Sequence, residues 1–406
     1  MNHRISDIQL LRGIAVIFVL IEHSRFNLIG QPGDFLLLFY TNFGGWTGVD
    51  LFFAISGFVI ARDLIPRFQH NEGSILTTVV RFWARRATRL WPAAWLWLAL
   101  ILVAVVWFNQ SKVFGNLGPN IDATLAGIFN YGNWRLMNVF GRAEYGVSFP
   151  YWSLSLEEQF YLLLPIVILL FRRWLPWVLV VGVVLQFFAN RHTSLILMGT
   201  RSDALMLGVL LAMWSKHGSY RRLEPTFLEN NRWLGWIALV VLVTCLGAVG
   251  STRHETFRCW VGVIALISIL LVFIGSYDKD YLMPDNPLKK IFLWFGSRSY
   301  SLYLTHIPAY FTCREIWYRI APMNTVFDMT YNLRFTLTAM VILLIFCELT
   351  YRFVETPFRL RGKLFAEHIN LNSGWFAKSA PVRQFESARA YFTAWALKRG
   401  AHDKGV

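Results

Sequence analysis

The sequence predicts an all-α protein that crosses a membrane many times. Of its 406 residues, 55% are hydrophobic and only 16% are charged, whereas soluble domains carry about 25% charged residues. Ten apolar stretches approach the length that spans a bilayer, and basic residues cluster in alternate connections between them. We therefore predict a polytopic membrane domain of about ten transmembrane helices over residues 1–358.

The ten apolar stretches define the predicted helices. A helix is expected for each of them because backbone groups inside a bilayer must form their hydrogen bonds within the segment. The stretches cover roughly 8–24, 44–61, 90–108, 154–171, 174–190, 195–214, 233–250, 259–275, 291–312 and 334–353.

The distribution of basic residues gives the predicted orientation. Arginine and lysine concentrate in the connections around 62–89, 172–173, 216–222 and 279–290. Because cytoplasmic connections are enriched in these residues, we place this set, and with it both termini, in the cytoplasm. The longest connection on the other side, roughly 109–153, is either a lid or docking loop or a solvated connector.

The net charge of +15 does not indicate nucleic-acid binding. The basic residues lie between apolar runs, where topology and anionic lipid headgroups explain them, so membrane lipids are the expected partners and nucleic acid is not. The four cysteines lie in or beside apolar runs without C-x-x-C spacing. This pattern predicts free thiols, no metal site and no disulfide framework.

Residues 359–406 form a predicted basic tail. The tail carries nine lysines and arginines against three acidic residues, with aromatic residues between them. A cytoplasmic segment of this composition is typical of one that lies on anionic lipid. Disorder without a function is the alternative.

Arg12 and His23 share one stripe of the first apolar stretch. They are 11 residues apart, so at about 100° per residue they return to within about 20° of one face, roughly 16 Å apart along the axis. A cation and an imidazole at membrane depth are costly unless they face protein or water. We therefore predict a site along this stripe with His23 as the general base. A histidine that only bonds two helices together is the alternative.

Several acids at the predicted depth of His23 are candidates to orient it. Asp50 lies in the second stretch, and Glu157 and Glu158 lie in the fourth. Adjacent helical residues point about 100° apart, so we expect one of the two glutamates to face the site. Other polar residues at this level are Glu22, Arg201, Asp203 and His306, the last as a second polar wall of the site or as a packing residue.

Arginines mark the opposite, inner level. Arg81, Arg85 and Arg89 follow an i, i+4, i+8 spacing, with Arg86 beside them, and so form a ridge on a helix entering the third span. Clustered guanidiniums suit the phosphates of a nucleotide-bearing donor. Topology control and lipid contact are the alternatives.

Six stretches, in order, resemble the membrane acyltransferase-3 family across about residues 6–358. Each alone is weak, and their order makes the resemblance strong. They are Leu11-Arg12-Gly13 followed by His23, then Gly48–Phe58, Arg85–Pro92, Trp152–Tyr161, Gly296–His306 and Phe353–Phe358.

The resemblance implies ten membrane helices and the transfer of an acyl group, usually acetyl, from cytoplasmic acetyl-CoA. The implied acceptor is commonly a hydroxyl of a lipid-linked or surface glycan. Six positions match recurrent site residues of the family. They are Arg12 and His23 as the essential pair, Arg86 and Arg89 as the cytoplasmic arginine motif, and Asp50 and Glu158 as recurrent acids. The acidic Glu22 departs from the family's pattern.

Together these observations predict an integral-membrane O-acyltransferase of the cell membrane, such as the bacterial inner membrane. Acyl-CoA would be a donor substrate, with no permanently bound cofactor, and its phosphates would meet the two motif arginines while Arg12 lines the path. His23, oriented by Asp50 or Glu158, would be a general base or a transient acyl carrier. A transporter or flippase and a non-enzymatic membrane scaffold are the alternatives.

Overall fold

The computed structural model describes residues 5–69, 74–191, 194–251 and 259–369, and these residues form helices without strands. Eighteen α-helices follow one another in these ranges. They are α1 (Ser6–Asn27), α2 (Asp34–Asn42), α3 (Gly48–Gln69), α4 (Ile75–Trp107), α5 (Leu117–Ile128), α6 (Gly132–Val139), α7 (Tyr151–Phe171), α8 (Leu175–Phe187), α9 (Leu195–Gly199), α10 (Asp203–Trp214), α11 (Gly218–Arg222), α12 (Phe227–Asn230), α13 (Arg232–Val249), α14 (Trp260–Gly275), α15 (Pro287–Ser297), α16 (Ser299–Ile320), α17 (Asn332–Thr350) and α18 (Thr356–His368).

Every predicted apolar stretch is helical, but two of them are broken. The sixth stretch divides into α9 and α10 around Arg201, and the ninth divides into α15 and α16 at Arg298. The third extends further than predicted, because α4 begins at Ile75, where the Ser74 side chain accepts a hydrogen bond from the backbone N–H of Thr77. The arginine ridge therefore lies on the same helix as the third apolar run, as its spacing indicated.

Five helical stretches in the described ranges are long and apolar enough to cross a membrane. They are Ile75–Trp107, Tyr151–Phe187, Leu195–Trp214, Arg232–Val249 and Met329–His368. α1, α3 and α16 each have 22 residues and carry polar residues within their length. The chain is therefore a helical, multi-pass membrane protein. The count of ten spans and the cytoplasmic placement of both termini stay predictions.

α1 lies in the interior of the bundle. It contacts α3, α14, α15 and α16, and four of its apolar side chains have no exposed surface: Leu10, Leu11, Ala15 and Val16. Because neighbouring helices cover α1, its polar residues face protein rather than lipid.

The predicted boundary between residues 358 and 359 falls inside α18. This helix packs along α4, with Gly362 against Thr88, and the Nε of Arg81 donates to the carbonyl of Ile369 at 2.8 Å. The first residues of the predicted tail are therefore packed on the membrane domain. The rest of the predicted tail, residues 370–406, lies outside the described residues.

Candidate active site

His23 of α1 and His306 of α16 meet edge to edge. The Nδ1 of His23 lies 2.7 Å from the Nε2 of His306. The ring centroids are 4.9 Å apart and the ring planes differ by 11°, so the two nitrogens face each other in nearly a common plane. The other nitrogen of His306, Nδ1, lies 2.7 Å from the carbonyl oxygen of Tyr303 on its own helix.

These contacts determine the tautomers of the two neutral rings. A carbonyl oxygen only accepts, so the Nδ1 of His306 carries a proton and its Nε2 accepts from the Nδ1–H of His23. The Nε2 of His23 then keeps its lone pair. An imidazole held in this way can take a proton from a hydroxyl or attack an acyl carbon.

The surrounding packing fixes this pair. His306 is fully buried, and Tyr310, one turn further along α16, donates to the carbonyl of Leu20 at 2.9 Å. Phe149 packs edge-on against His23, with 5.1 Å between the ring centroids. Phe149 belongs to the long connection predicted over 109–153, so one end of that connection contacts the histidine.

A second feature is a cavity of about 80 Å³ between α1, α3, α4, α7 and α16. Arg12, Arg86 and Arg89 line it together. The Nε of Arg89 is buried without a hydrogen-bond partner among the described residues. Arg86 lies over the ring of Tyr161, 5.6 Å from its centroid. Tyr303 also lines the cavity, and its carbonyl and ring contact His306, so Tyr303 lies between the arginine cavity and the histidine pair.

Glu157 supplies the negative charge in this cavity. Its carboxylate accepts a hydrogen bond from the Ser56 hydroxyl at 2.5 Å and another from the Tyr161 hydroxyl. Of the two adjacent glutamates, Glu157 is therefore the one that lines the cavity. Three guanidiniums against one carboxylate leave the lining net positive, which suits a phosphate group.

Asp50 does not contact His23 but pairs with Arg201. The two charged groups are 3.1 Å apart, and their side chains are 0% and 1% exposed. The guanidinium of Arg201 also lies between the rings of Trp46 and Trp152, at 4.9 and 5.0 Å from their centroids. A buried arginine requires such a partner because an unpaired buried charge is strongly destabilising.

Glu158 likewise has other partners. Its carboxylate accepts hydrogen bonds from the Trp91 indole and the Asn130 amide, each at 2.7 Å. The ring nitrogen of His23 that was expected to bond a carboxylate bonds His306 instead.

The predicted arginine ridge is divided by its contacts. Arg89 lines the cavity with the neighbouring Arg86. Arg81 instead binds the end of α18, and Arg85 lies 3.8 Å from Asp63. Two of the three ridge residues therefore have structural partners.

Two further polar residues predicted at the level of His23 also have structural partners. Glu22 accepts from the backbone N–H of Gly45 at 2.7 Å. Asp203 pairs with Arg191 at 2.9 Å, where both side chains are 2% exposed.

Contacts between side chains join all six stretches that carry the family resemblance. Three hydroxyl-bearing residues of these stretches, Ser56, Tyr161 and Tyr303, were not predicted as site residues. The signal that could have identified them is a hydroxyl within an apolar run of a matching stretch. The joining contacts are His23–His306, Ser56–Glu157, Trp91–Glu158, Ser153–Tyr303 and Ser301–Glu355.

Comparisons with known proteins agree with the resemblance. The acyltransferase-3 family model, described as an acyltransferase domain, matches residues 5–352. The peptidoglycan O-acetyltransferase OatA of Listeria monocytogenes is 27% identical over 384 residues, which cover 88% of this chain and 56% of the relative. The O-acetyltransferase OatA of Staphylococcus aureus is 28% identical over 392 residues, with coverages of 92% and 60%.

A third relative is the putative peptidoglycan O-acetyltransferase YrhL of Bacillus subtilis. It is 28% identical over 402 residues, which cover 89% of this chain and 56% of the relative. The chain thus spans between 56% and 60% of the length of these three relatives. No solved structure matches the chain. Because the family model covers most of its length, the chain belongs to the acyltransferase-3 family.

Proposed function

We propose that this protein is an integral-membrane O-acetyltransferase that moves an acetyl group from cytoplasmic acetyl-CoA to a hydroxyl of a cell-envelope glycan. The observation that carries the proposal is the His23–His306 pair, whose hydrogen bonds leave the lone pair of the His23 Nε2 unused, on the same helix as Arg12 of the arginine cavity. The family match supports acyl transfer. The names of the relatives support peptidoglycan or a related glycan as the acceptor.

The arginine cavity is the proposed site for the donor's phosphates. Arg12, Arg86 and Arg89 offer guanidinium groups to an anion, and charge-assisted hydrogen bonds from guanidinium to phosphate are strong. Arg12 and His23 lie roughly 16 Å apart along α1. The flexible pantetheine arm would bridge that separation and carry the thioester towards His23, past Tyr303.

In the direct route, the Nε2 of His23 removes the proton of the acceptor hydroxyl as its oxygen attacks the thioester carbonyl. The carbon–sulfur bond breaks, and the departing thiolate takes the proton from His23. His306 keeps the imidazole in the required tautomer throughout.

In the two-step route, the Nε2 of His23 itself attacks the thioester carbonyl. The carbon–sulfur bond breaks, the coenzyme leaves as a thiolate, the Nδ1 proton of His23 moves onto the Nε2 of His306, and the acetyl group rests on His23. The acceptor hydroxyl then attacks that acetyl group, and the Nε2 of His23 leaves with the hydroxyl proton while the Nδ1 proton returns from His306. His23 finally releases its extra proton to solvent, which balances the proton that the thiolate takes up. Both routes use the same hydrogen bond between the two rings.

Donor kinetics in inside-out membrane vesicles test this proposal. Wild-type vesicles should transfer labelled acetyl from added acetyl-CoA to an endogenous glycan. The double substitution Arg86→Gln and Arg89→Gln should raise the donor KM about tenfold or more, since each removes a charged hydrogen-bond donor. The matched control is Arg221→Gln with Arg222→Gln, on the exposed helix α11, which should leave the KM unchanged.

Three results would each contradict a different part of the proposal. Transfer from another acetyl thioester but not from acetyl-CoA would overturn the donor assignment alone. An unchanged KM in the double variant would remove the phosphates from the arginine cavity. Absence of any acetyl transfer in wild-type vesicles that contain native glycans would overturn the function itself.

A further inference from the structure

We propose that a second site, separate from the arginine cavity, binds an anionic phospholipid. It is a groove of about 1530 Å³ formed by parts of α3, α7, α8, α10 and α14. Among the described residues, none lines both this groove and the arginine cavity. We name it the lipid groove.

The walls of the lipid groove are apolar. Its lining includes leucines of α10 and α14 together with Phe273. Leu266 and Leu270 of α14 remain 45% and 44% exposed. Apolar surface of this kind fits acyl chains, because burying it against hydrocarbon costs no polar hydrogen bonds.

Cationic residues also line the groove. They are Arg172, Arg173 and Lys216, and none of the described lining residues is acidic. Arg172 and Arg173 follow the end of α7, and Lys216 follows the end of α10. Both positions lie in connections that the sequence predicts on the cytoplasmic side, where the leaflet is rich in anionic lipid.

Aromatic residues place these cations at the level of lipid headgroups. Trp174 and Trp177 line the groove and are 57% and 65% exposed. Exposed tryptophan is typical of the boundary between headgroups and acyl chains. The guanidinium of Arg173 lies 5.5 Å from the ring centroid of Trp174, so a lipid phosphate would meet Arg173 where the apolar walls begin.

The combination of charge and apolar walls identifies the occupant. A free phosphate would use the cations but leave the walls uncovered. A zwitterionic lipid would cover the walls but gain little from the positive charge, because its headgroup carries a cation of its own. An anionic phospholipid satisfies both features, with its phosphate at Arg173 and Lys216 and its chains along α10 and α14.

Native mass spectrometry of the full chain tests this site. The protein is reconstituted in bilayers of equal phosphatidylglycerol and phosphatidylcholine, released in mild detergent, and weighed with the lipids that it retains. The wild type should retain phosphatidylglycerol in preference. Arg173→Gln with Lys216→Gln should lower that preference about fivefold for each cation removed. The control pair Arg221→Gln and Arg222→Gln, on neighbouring α11, should keep it.

A second variant tests the apolar walls without changing charge. Leu270→Trp fills part of the groove and should lower retention of both lipids together. Equal retention of the two lipids by the wild type would overturn the proposal, as would an unchanged ratio in the arginine–lysine variant. Full retention in Leu270→Trp, with every variant eluting as the wild type does in size exclusion, would also contradict it.

Discussion

A neutral histidine orients His23, where a carboxylate was expected. The tautomer of His306 follows from its own helix, because its Nδ1–H is bound to the Tyr303 carbonyl three residues earlier. Its Nε2 can then only accept, which holds the proton of His23 on Nδ1. A second imidazole performs this positioning without adding a buried negative charge, whose desolvation would be costly.

This arrangement predicts that kcat depends on a hydrogen-bond acceptor at position 306 more than on the imidazole ring itself. His306→Leu removes the acceptor with a similar side-chain volume, and we expect kcat to fall about 100-fold. His306→Gln keeps an amide oxygen that can accept from His23 and should restore part of the rate. Steady-state acetyl transfer by each variant checks this, with donor KM unchanged in both.

Two outcomes would contradict this positioning role. One is a wild-type kcat in His306→Leu. The other is an equal loss in the leucine and glutamine variants accompanied by a raised KM, which would indicate general damage to the bundle.

The sequence could identify polar residues at membrane depth but not their partners. His23, Asp50 and His306 were all predicted at one level, and depth alone does not specify which residues touch. The two histidines are 283 residues apart, and Asp50 meets Arg201 from a different stretch. Such pairings depend on which helices are neighbours, and local periodicity carries no information about that.

At the scale of helices, the packing of α3 on α10 depends on two glycines. A Cβ on Gly57 would lie 2.1 Å from the carbonyl oxygen of Leu205, and one on Gly208 would lie 2.3 Å from that of Ala54. Small residues let membrane helices approach this closely. The contact holds Asp50 on α3 near Arg201 at the start of α10.

We therefore expect Gly208→Ala to destabilise the protein by about 1–3 kcal/mol, because the methyl group meets backbone and cannot be accommodated by a rotamer change. The matched control is Gly118→Ala in α5, where no atom of the described part of the chain lies within 4 Å of the added Cβ. That control should be neutral or slightly stabilising, since alanine favours a helix over glycine. Thermal unfolding in detergent measures both, and a Gly208→Ala protein as stable as the control would refute the close contact.

The existence of the helices was predictable, but their breaks were not. Long apolar runs require helices in a bilayer, so all ten predicted stretches are helical. The breaks at Arg201 and Arg298 coincide with ion pairs to other helices, Asp50 at 3.1 Å and Glu348 at 2.6 Å. Hydropathy averaged over a window does not reveal a helix break at a single charged residue whose ion-pair partner lies on a distant helix.

At the scale of the whole molecule, α1 connects two levels of polar groups. Arg12 lines the arginine cavity near one end of the helix and His23 meets His306 near the other. If the positive-inside orientation holds, the arginine cavity lies towards the cytoplasm and the histidine pair towards the outer face. A donor available inside and a glycan displayed outside would then meet along one helix.

Thiol labelling tests that orientation. Gly118 and Gly218 are both exposed, and no atom of the described residues lies within 4 Å of a Cβ added at either position, so we expect each to accept cysteine. In intact cells an impermeant maleimide should label Gly118→Cys, whereas Gly218→Cys should react only after permeabilisation. The unsubstituted chain gives the background from its four cysteines. Three predicted crossings separate the two positions, which puts them on opposite sides of the membrane, so labelling of both from one side would contradict that number. Labelling of Gly218→Cys but not Gly118→Cys in intact cells would contradict the predicted orientation.

The most direct test of the central claim is acetyl transfer with and without His23. Membranes containing the wild type, His23→Gln or His368→Gln receive acetyl-CoA labelled in the acetyl group, and the label is followed into glycan. His368 is an exposed histidine of α18 and serves as the matched control. We predict transfer by the wild type and by His368→Gln, and none by His23→Gln at an equal amount of folded protein. Transfer by His23→Gln at the wild-type rate would contradict the account.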